Sequence, residues 1–270
     1  MVSQGLLAKG YDTIVIDGGW STGDMDEWGR SIPNAVNWPS SAGGKGFGPL
    51  AKWTHSLGLK MGVWHIRGAP ATAVQKKLPV KGAKTTIDRL TWDPEHCAPK
   101  NKQWCQCTWD KGYFGLDASL PESQIYYNSL VDLYAEWELD FLKWDCLYDV
   151  FAGYSDEETL VVNAVKQSSR ALSLSLSPGG GMRGVDCEWI ASGQRASMYR
   201  ITNDFHADSP PQGLAEHAFV AANFSKYVGS NNTWVRRITS SRRFVRCLAA
   251  HQLLRCVCCL TRRMCGCSRI

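Results

Sequence analysis

Two aspartates stand where a strand-like run gives out into a loop, and each has a cation upstream. Asp145 lies in FLKWDC, residues 141–146, with Lys143 two positions before it. Asp204 ends MYRITND, residues 198–204, with Arg200 four positions before it. Strand side chains alternate with a period of two, so Lys143 and Asp145 point the same way, as do Arg200 and Thr202. Two carboxylates facing one cavity are the minimal equipment for cleaving a glycosidic bond. One attacks or stabilises the anomeric carbon and the other protonates the leaving oxygen. A neighbouring ammonium favours the ionised form of Asp145, as attack requires. Taken singly, each aspartate has a plainer reading: Asp145 as the buried partner of Lys143, and Asp204 as the partner of Arg200 in a surface ion pair.

The elements that must hold these residues alternate along the chain. Strands are expected at Tyr11–Asp17, Leu59–Ile66, Phe141–Asp145, Leu172–Ser177 and Met198–Thr202. A helical stretch lies around Leu50–Leu57. Ser119 and Glu122 form a capping-box pattern that opens a helix with Tyr127, Leu130, Val131, Tyr134 and Trp137 on one face. Ser155 and Glu158 repeat the pattern before a helix that turns Leu160, Val161, Ala164 and Val165 inward. Alternating strands and helices imply a parallel sheet with right-handed crossovers. Asp17, His65, Arg67, Asp145, Ser177 and Asp204 all fall just after strands, at the rim where barrel enzymes carry their chemistry. An open doubly wound sheet is the rival, but Gly18-Gly19-Trp20 has the wrong spacing for a phosphate-binding glycine loop. The segment 69–116 has no clean periodicity and is a candidate lid.

Charge is distributed unevenly. Residues 235–270 hold nine arginines, no acidic residue and six of the eleven cysteines. Taking those nine charges from the formal +5 leaves −4 for residues 1–234, so the positive total does not mark the main domain as a nucleic-acid binder. No run of about 18 apolar residues is present to span a membrane. The N-terminus, MVSQGLLAKGYD, lacks a basic start followed by a long apolar segment, so no signal peptide is visible. Sequons at Asn223 and Asn231 would matter only in a secreted chain. Twelve tryptophans suit a sugar-binding cleft, where an indole stacks on a pyranose, although any one of them is better taken as core. His96, Cys97, Cys105 and Cys107 can be drawn as a zinc site, but their spacing fits no standard finger.

The motifs YDTIVIDGGW, WGRSIPNAVNWPSSAGGKGFGPLA, HSLGLKMGVWHIRG, YAEWELDFLKWDC, SLSLSPG and MYRITNDFH run in order through residues 5 to about 234. In these the chain resembles glycoside hydrolase family 27, the melibiase or α-galactosidase family, and within it the plant-type α-galactosidase/β-L-arabinopyranosidase branch. The resemblance implies an α/β fold, a (β/α)8 TIM barrel of which about five of eight strands are present, in residues 1–234. It implies a retaining exo-glycosidase that removes terminal α-D-galactose or β-L-arabinopyranose, with Asp145 as nucleophile and Asp204 as general acid/base. Lys143, Arg200 and Asp17 match sugar-contacting positions, and Trp20 and Ser177 join them as substrate-binding candidates. A disulfide between Cys107 and Cys146 is implied beside the nucleophile; free thiols are the other reading. No cofactor and no metal is implied, the partner is a carbohydrate rather than a nucleic acid or membrane, and the location is secreted or cell wall.

The chain departs from that pattern in several places. It starts inside the helix that follows the family's first strand. GSNNTW, residues 229–234, resembles the approach to the seventh strand, but residues 235–270 have no family likeness. This tail reads as an altered frame or an unspliced intron, ahead of an Arg-rich nucleic-acid arm or a cysteine-rich metal tail. Gly18 replaces the second aspartate of a pair common in α-galactosidases, which weakens recognition of a 6-hydroxyl. Glu138 sits where the family usually has glycine, at a cost of about 1 kcal/mol if the backbone there is left-handed. Two other functions remain: an inactive barrel fragment or sugar binder, and a galactosyltransferase like the raffinose synthases.

Overall fold

The computed structural model describes residues 1–92, 105–107, 109–147, 155–178, 187–190, 195–202, 204 and 213–225. His96, Cys97, Asn231, the 229–234 motif and the whole 235–270 tail lie outside the described residues.

Five parallel strands form one sheet: β1 (Thr13–Ile16), β2 (Lys60–Ile66), β5 (Phe141–Asp145), β6 (Ser173–Ser177) and β7 (Met198–Tyr199). They neighbour one another in chain order, with Val15 opposite Gly62, Ile66 opposite Asp145 and Asp145 opposite Ser177. Each crossover carries helical segments: α1 (Gly48–Ser56) between β1 and β2, α3 (Pro121–Glu136) between β2 and β5, and α4 (Ser155–Gln167) between β5 and β6. This is the architecture of a partial (β/α) barrel, and all five expected strands are in it. β7 is shorter than the expected 198–202 strand, although Arg200 N–H still donates to the Leu176 carbonyl at 2.9 Å.

Period-two alternation divides each strand between two environments. Met61, Val63, Leu142, Trp144, Leu174 and Leu176 join the buried cluster with Tyr127, Leu130, Val131 and Tyr134 of α3. Burying a leucine or valine in that layer stabilises the fold by about 1.5–3 kcal/mol. The alternate set, Trp64, Lys143, Asp145 and the three serines of β6, faces the other way, which is why β6 reads Ser-Leu-Ser-Leu-Ser. Gly62 sits opposite Phe141 at the base of β2, where a Cβ would stand 2.5 Å from the Phe141 carbonyl oxygen.

Both α1 and α3 end in the same hydrogen-bonded turn. Gly58 N–H donates to the His55 carbonyl and Leu59 N–H to Thr54; in α3, Glu138 N–H donates to Ala135 and Leu139 N–H to Tyr134. This Schellman geometry needs a left-handed residue. Gly58 supplies it with φ 75°, whereas Glu138 adopts φ 61° despite its side chain.

Two expectations are corrected. Ser119 does not cap α3: the N-cap is Leu120, and the Ser119 hydroxyl donates instead to Asp117 at 2.7 Å. A nearer carboxylate competes for the serine, and the helix starts one residue later. The described parts of 69–116 are no bare lid. They include β3 (Ala69–Pro70) paired antiparallel with β4 (Tyr113–Phe114), and α2 (Ala71–Gln75). Val80, Ile87, Leu90 and Leu116 from this segment are buried in the main core.

Candidate active site

The C-terminal ends of β1, β2, β5 and β7 open into one cavity of ≈ 830 Å³, lined by Asp17, Trp64, Lys143, Asp145, Arg200 and Asp204 among others. The two aspartates singled out from the sequence, 59 positions apart in the chain, therefore line the same hollow.

Asp145 is held at both oxygens. Oδ2 accepts from Trp64 Nε1 at 2.9 Å, and Oδ1 accepts the Cys146 N–H at 2.8 Å. With only 8% of its surface exposed, it is buried but hydrogen-bonded, as a charged group must be. Lys143 lies between two carboxylates, with Nζ 3.0 Å from Asp17 Oδ2 and 4.0 Å from Asp145 Oδ2. Burial works against the charge on Asp17, but the Gly18 N–H, the Lys143 ammonium and the Arg200 guanidinium outweigh it and hold its carboxyl below the usual range. Asp17 is largely exposed, so this contact contributes little to stability and serves to place the two groups. Arg200 is hydrogen-bonded to Asp204 through Nη1, the ion pair of the plainer reading, and Asp204 is itself exposed to the cavity.

Not every candidate reaches the cavity. Trp20 is buried, does not line it, and packs against Phe47, Tyr134 and Trp137. Its Nε1 donates to the Trp64 carbonyl at 2.7 Å, so it braces the residue that holds Asp145. Ser177 lies beside Asp145 in the sheet, buried, with no hydrogen-bond partner for its hydroxyl among the described residues. His65 is buried on the helix-facing side of β2, where desolvation pushes its imidazole down to about 3 and Tyr134 hydrogen-bonds Nδ1 at 3.1 Å. Arg67 likewise leaves the cavity, pairing with Glu157 of α4 at 2.6 Å. The other oxygen of Glu157 accepts from Tyr127 of α3 and from the Leu116 N–H.

Sequence reasoning missed Trp64, Trp109 and Tyr113. Trp64 alternates correctly along LKMGVWHI, but only the strand register brings its indole to Asp145. Trp109 and Tyr113 come from the segment without periodicity; Trp109 is exposed at the cavity wall, 6.4 Å from the Trp64 ring. That segment is fastened to the site by a disulfide between Cys107 and Cys146. Cys105 is disulfide-bonded too, so neither it nor Cys107 offers a thiolate to a metal. Among the described residues no helix is long and apolar enough to cross a membrane.

No family model matches the chain. The α-galactosidase of Oryza sativa is 23% identical over 210 residues, covering 76% of this chain and 36% of that protein. The α-galactosidase of Cyamopsis tetragonoloba is 43% identical over 68 residues, covering 25% of this chain and 15% of that protein. Among solved structures, the GH27 β-L-arabinopyranosidase of Geobacillus stearothermophilus, in complex with arabinose, is similar with a TM-score of 0.75 at 28% identity. That likeness covers 86% of this chain and 54% of the bacterial enzyme. The chain thus spans about half of that structure and about a third of the Oryza protein.

Proposed function

We infer that the chain is a partial member of glycoside hydrolase family 27, of the melibiase type, and propose that it is a retaining exo-glycosidase for terminal α-D-galactosyl or β-L-arabinopyranosyl groups. Asp145 attacks the anomeric carbon and forms a glycosyl ester as the bond to the leaving oxygen breaks. Asp204 gives that oxygen its proton, then takes a proton from water as the water attacks the anomeric carbon, breaking its bond to Asp145 and releasing the sugar. Asp17, Lys143 and Arg200 bind the sugar hydroxyls. The one observation that carries the reading is that two carboxylates from separate parts of the chain line one cavity, which a lysine beside Asp145 and an arginine paired with Asp204 line as well. A retaining mechanism requires the two carboxyl groups roughly 5–5.5 Å apart across the bound sugar.

A galactose-configured covalent inactivator tests this. One equivalent should attach, with the adduct mapped by mass spectrometry to the peptide holding Asp145, and Asp145→Asn should abolish labelling. A folded protein that takes no label, or takes it elsewhere, overturns the reading. The disulfides fit an oxidising compartment, so secretion is the location proposed.

A further inference from the structure

The residue after the nucleophile has a backbone conformation that side chains avoid. Cys146 has φ 63°, in the left-handed region. The peptide joining it to Asp145 is held at both ends: its N–H donates back to Asp145 Oδ1 at 2.8 Å, and its carbonyl accepts the Arg67 N–H at 3.1 Å. A peptide is a rigid plane between two soft torsions. With β5 fixed below and Leu147 buried above, Cys146 can leave the left-handed region only if ψ of Asp145 turns in the opposite sense. That rotation swings the N–H away from Oδ1 and frees the carboxylate to turn off Trp64. What resists it is the bond from Cys146 Sγ to Cys107. Cys107 is anchored in turn: its carbonyl accepts from Lys111 Nζ at 2.9 Å, and it packs with Trp64, Ile66 and Tyr113.

We propose that Cys146 is a positioning residue for Asp145, its disulfide to Cys107 holding the left-handed turn that aims the carboxylate into the cavity. The inference deepens the proposed function and rests on Asp145 being its nucleophile. The disulfide then sets the rate of the chemical step as well as cross-linking the chain.

Two variants of the full chain separate these roles. Cys107→Ser/Cys146→Gly and Cys107→Ser/Cys146→Val both lack the cross-link, but glycine enters the left-handed region freely and valine is excluded from it. If the valine variant does not fold, Cys107→Ser/Cys146→Ala keeps a Cβ and takes its place. The first readout needs no activity: the Trp64 indole N–H resonance, identified by its loss in Trp64→Phe. It should keep its position in the glycine variant and move upfield in the valine variant and in reduced wild type. The second is the labelling rate, expected within about threefold of wild type for glycine and down at least about tenfold for valine, since a misplacement near 1 Å costs about 10²-fold. A merely structural cross-link would lower melting temperature in both and leave both readouts alike. Matching glycine and valine variants therefore overturn the proposal. If the resonances behave as expected while wild type takes no label, the positioning stands and the enzymatic reading falls.

Discussion

Lys143 serves two carboxylates at once. Its ammonium is hydrogen-bonded to Asp17 and stands 4.0 Å from Asp145. Hydrogen bonds to charged groups are worth about 1.5–3 kcal/mol. Lys143→Met should therefore slow labelling of Asp145 about 10- to 100-fold while the melting temperature stays close to wild type, because the carboxylate it hydrogen-bonds, Asp17, is largely exposed. Equal rates would mean that Lys143 has no part in binding or attack. Gly18 governs the next residue-scale test. A Cβ there would meet the Trp64 ring at 3.5 Å, an ordinary contact, so a side chain fits. Gly18→Asp should restore a hydrogen-bonding partner for a 6-hydroxyl and raise kcat/KM on an aryl α-galactoside relative to an aryl β-L-arabinopyranoside, by roughly tenfold for one added bond. An unchanged ratio would show that position 18 does not read that part of the sugar.

At the scale of elements, α1 and α3 form a natural comparison. Both close with the same turn, one on Gly58 and the other on Glu138. The Glu138 side chain reaches Lys52 at 3.4 Å, an exposed contact that offsets little of the backbone cost. Glu138→Gly should stabilise the protein by about 1 kcal/mol in urea unfolding, the left-handed penalty less the extra freedom glycine gives the unfolded chain. A loss of stability would mean that the contacts to Lys52 and His55 outweigh the strain. This position was picked out through the family resemblance, in which glycine is usual there, and not from any period. The five strands were legible on their own: YDTIVID, FLKWD and SLSLS each carry their period on the page. β3 and β4 were not, since a two-residue strand has no period, and its pairing spans more than 40 positions. The fate of Trp20 was hidden too. A tryptophan after a strand end has the same local signature whether it faces a sugar or, as here, a neighbouring carbonyl. Asp145 and Asp204 could be nominated by type and flank, but the bond from Trp64 that orients Asp145 depends on register, which no single strand encodes.

For the molecule as a whole, the helix-facing layer is largely apolar, and His65 stands buried in it, ringed by Trp20, Tyr113, Tyr134 and Trp144. Desolvation lowers its pKa from 6.5 to about 3 in the folded protein. Between those values the unfolded chain binds a proton that the folded chain refuses. Stability therefore falls as pH drops from about 6.5 toward 3, by about 1.4 kcal/mol per unit from this group alone. Urea midpoints at pH 7 and pH 5 should separate more in wild type than in His65→Gln, which keeps a partner for the Tyr134 hydroxyl. Equal separations would show that the imidazole is protonated inside the fold.

At the base of β2 and β5, Gly62 faces Phe141 with no room for a Cβ between them. Two rungs above that contact Trp64 meets Lys143, and two further on Ile66 meets Asp145. A single methyl at the bottom of this stack would act as a shim, prising the strands apart and tilting the indole off the carboxylate it holds. The smallest side chain in the sheet thus calibrates the largest, and a change of one carbon far from any sugar should be felt at the anomeric centre.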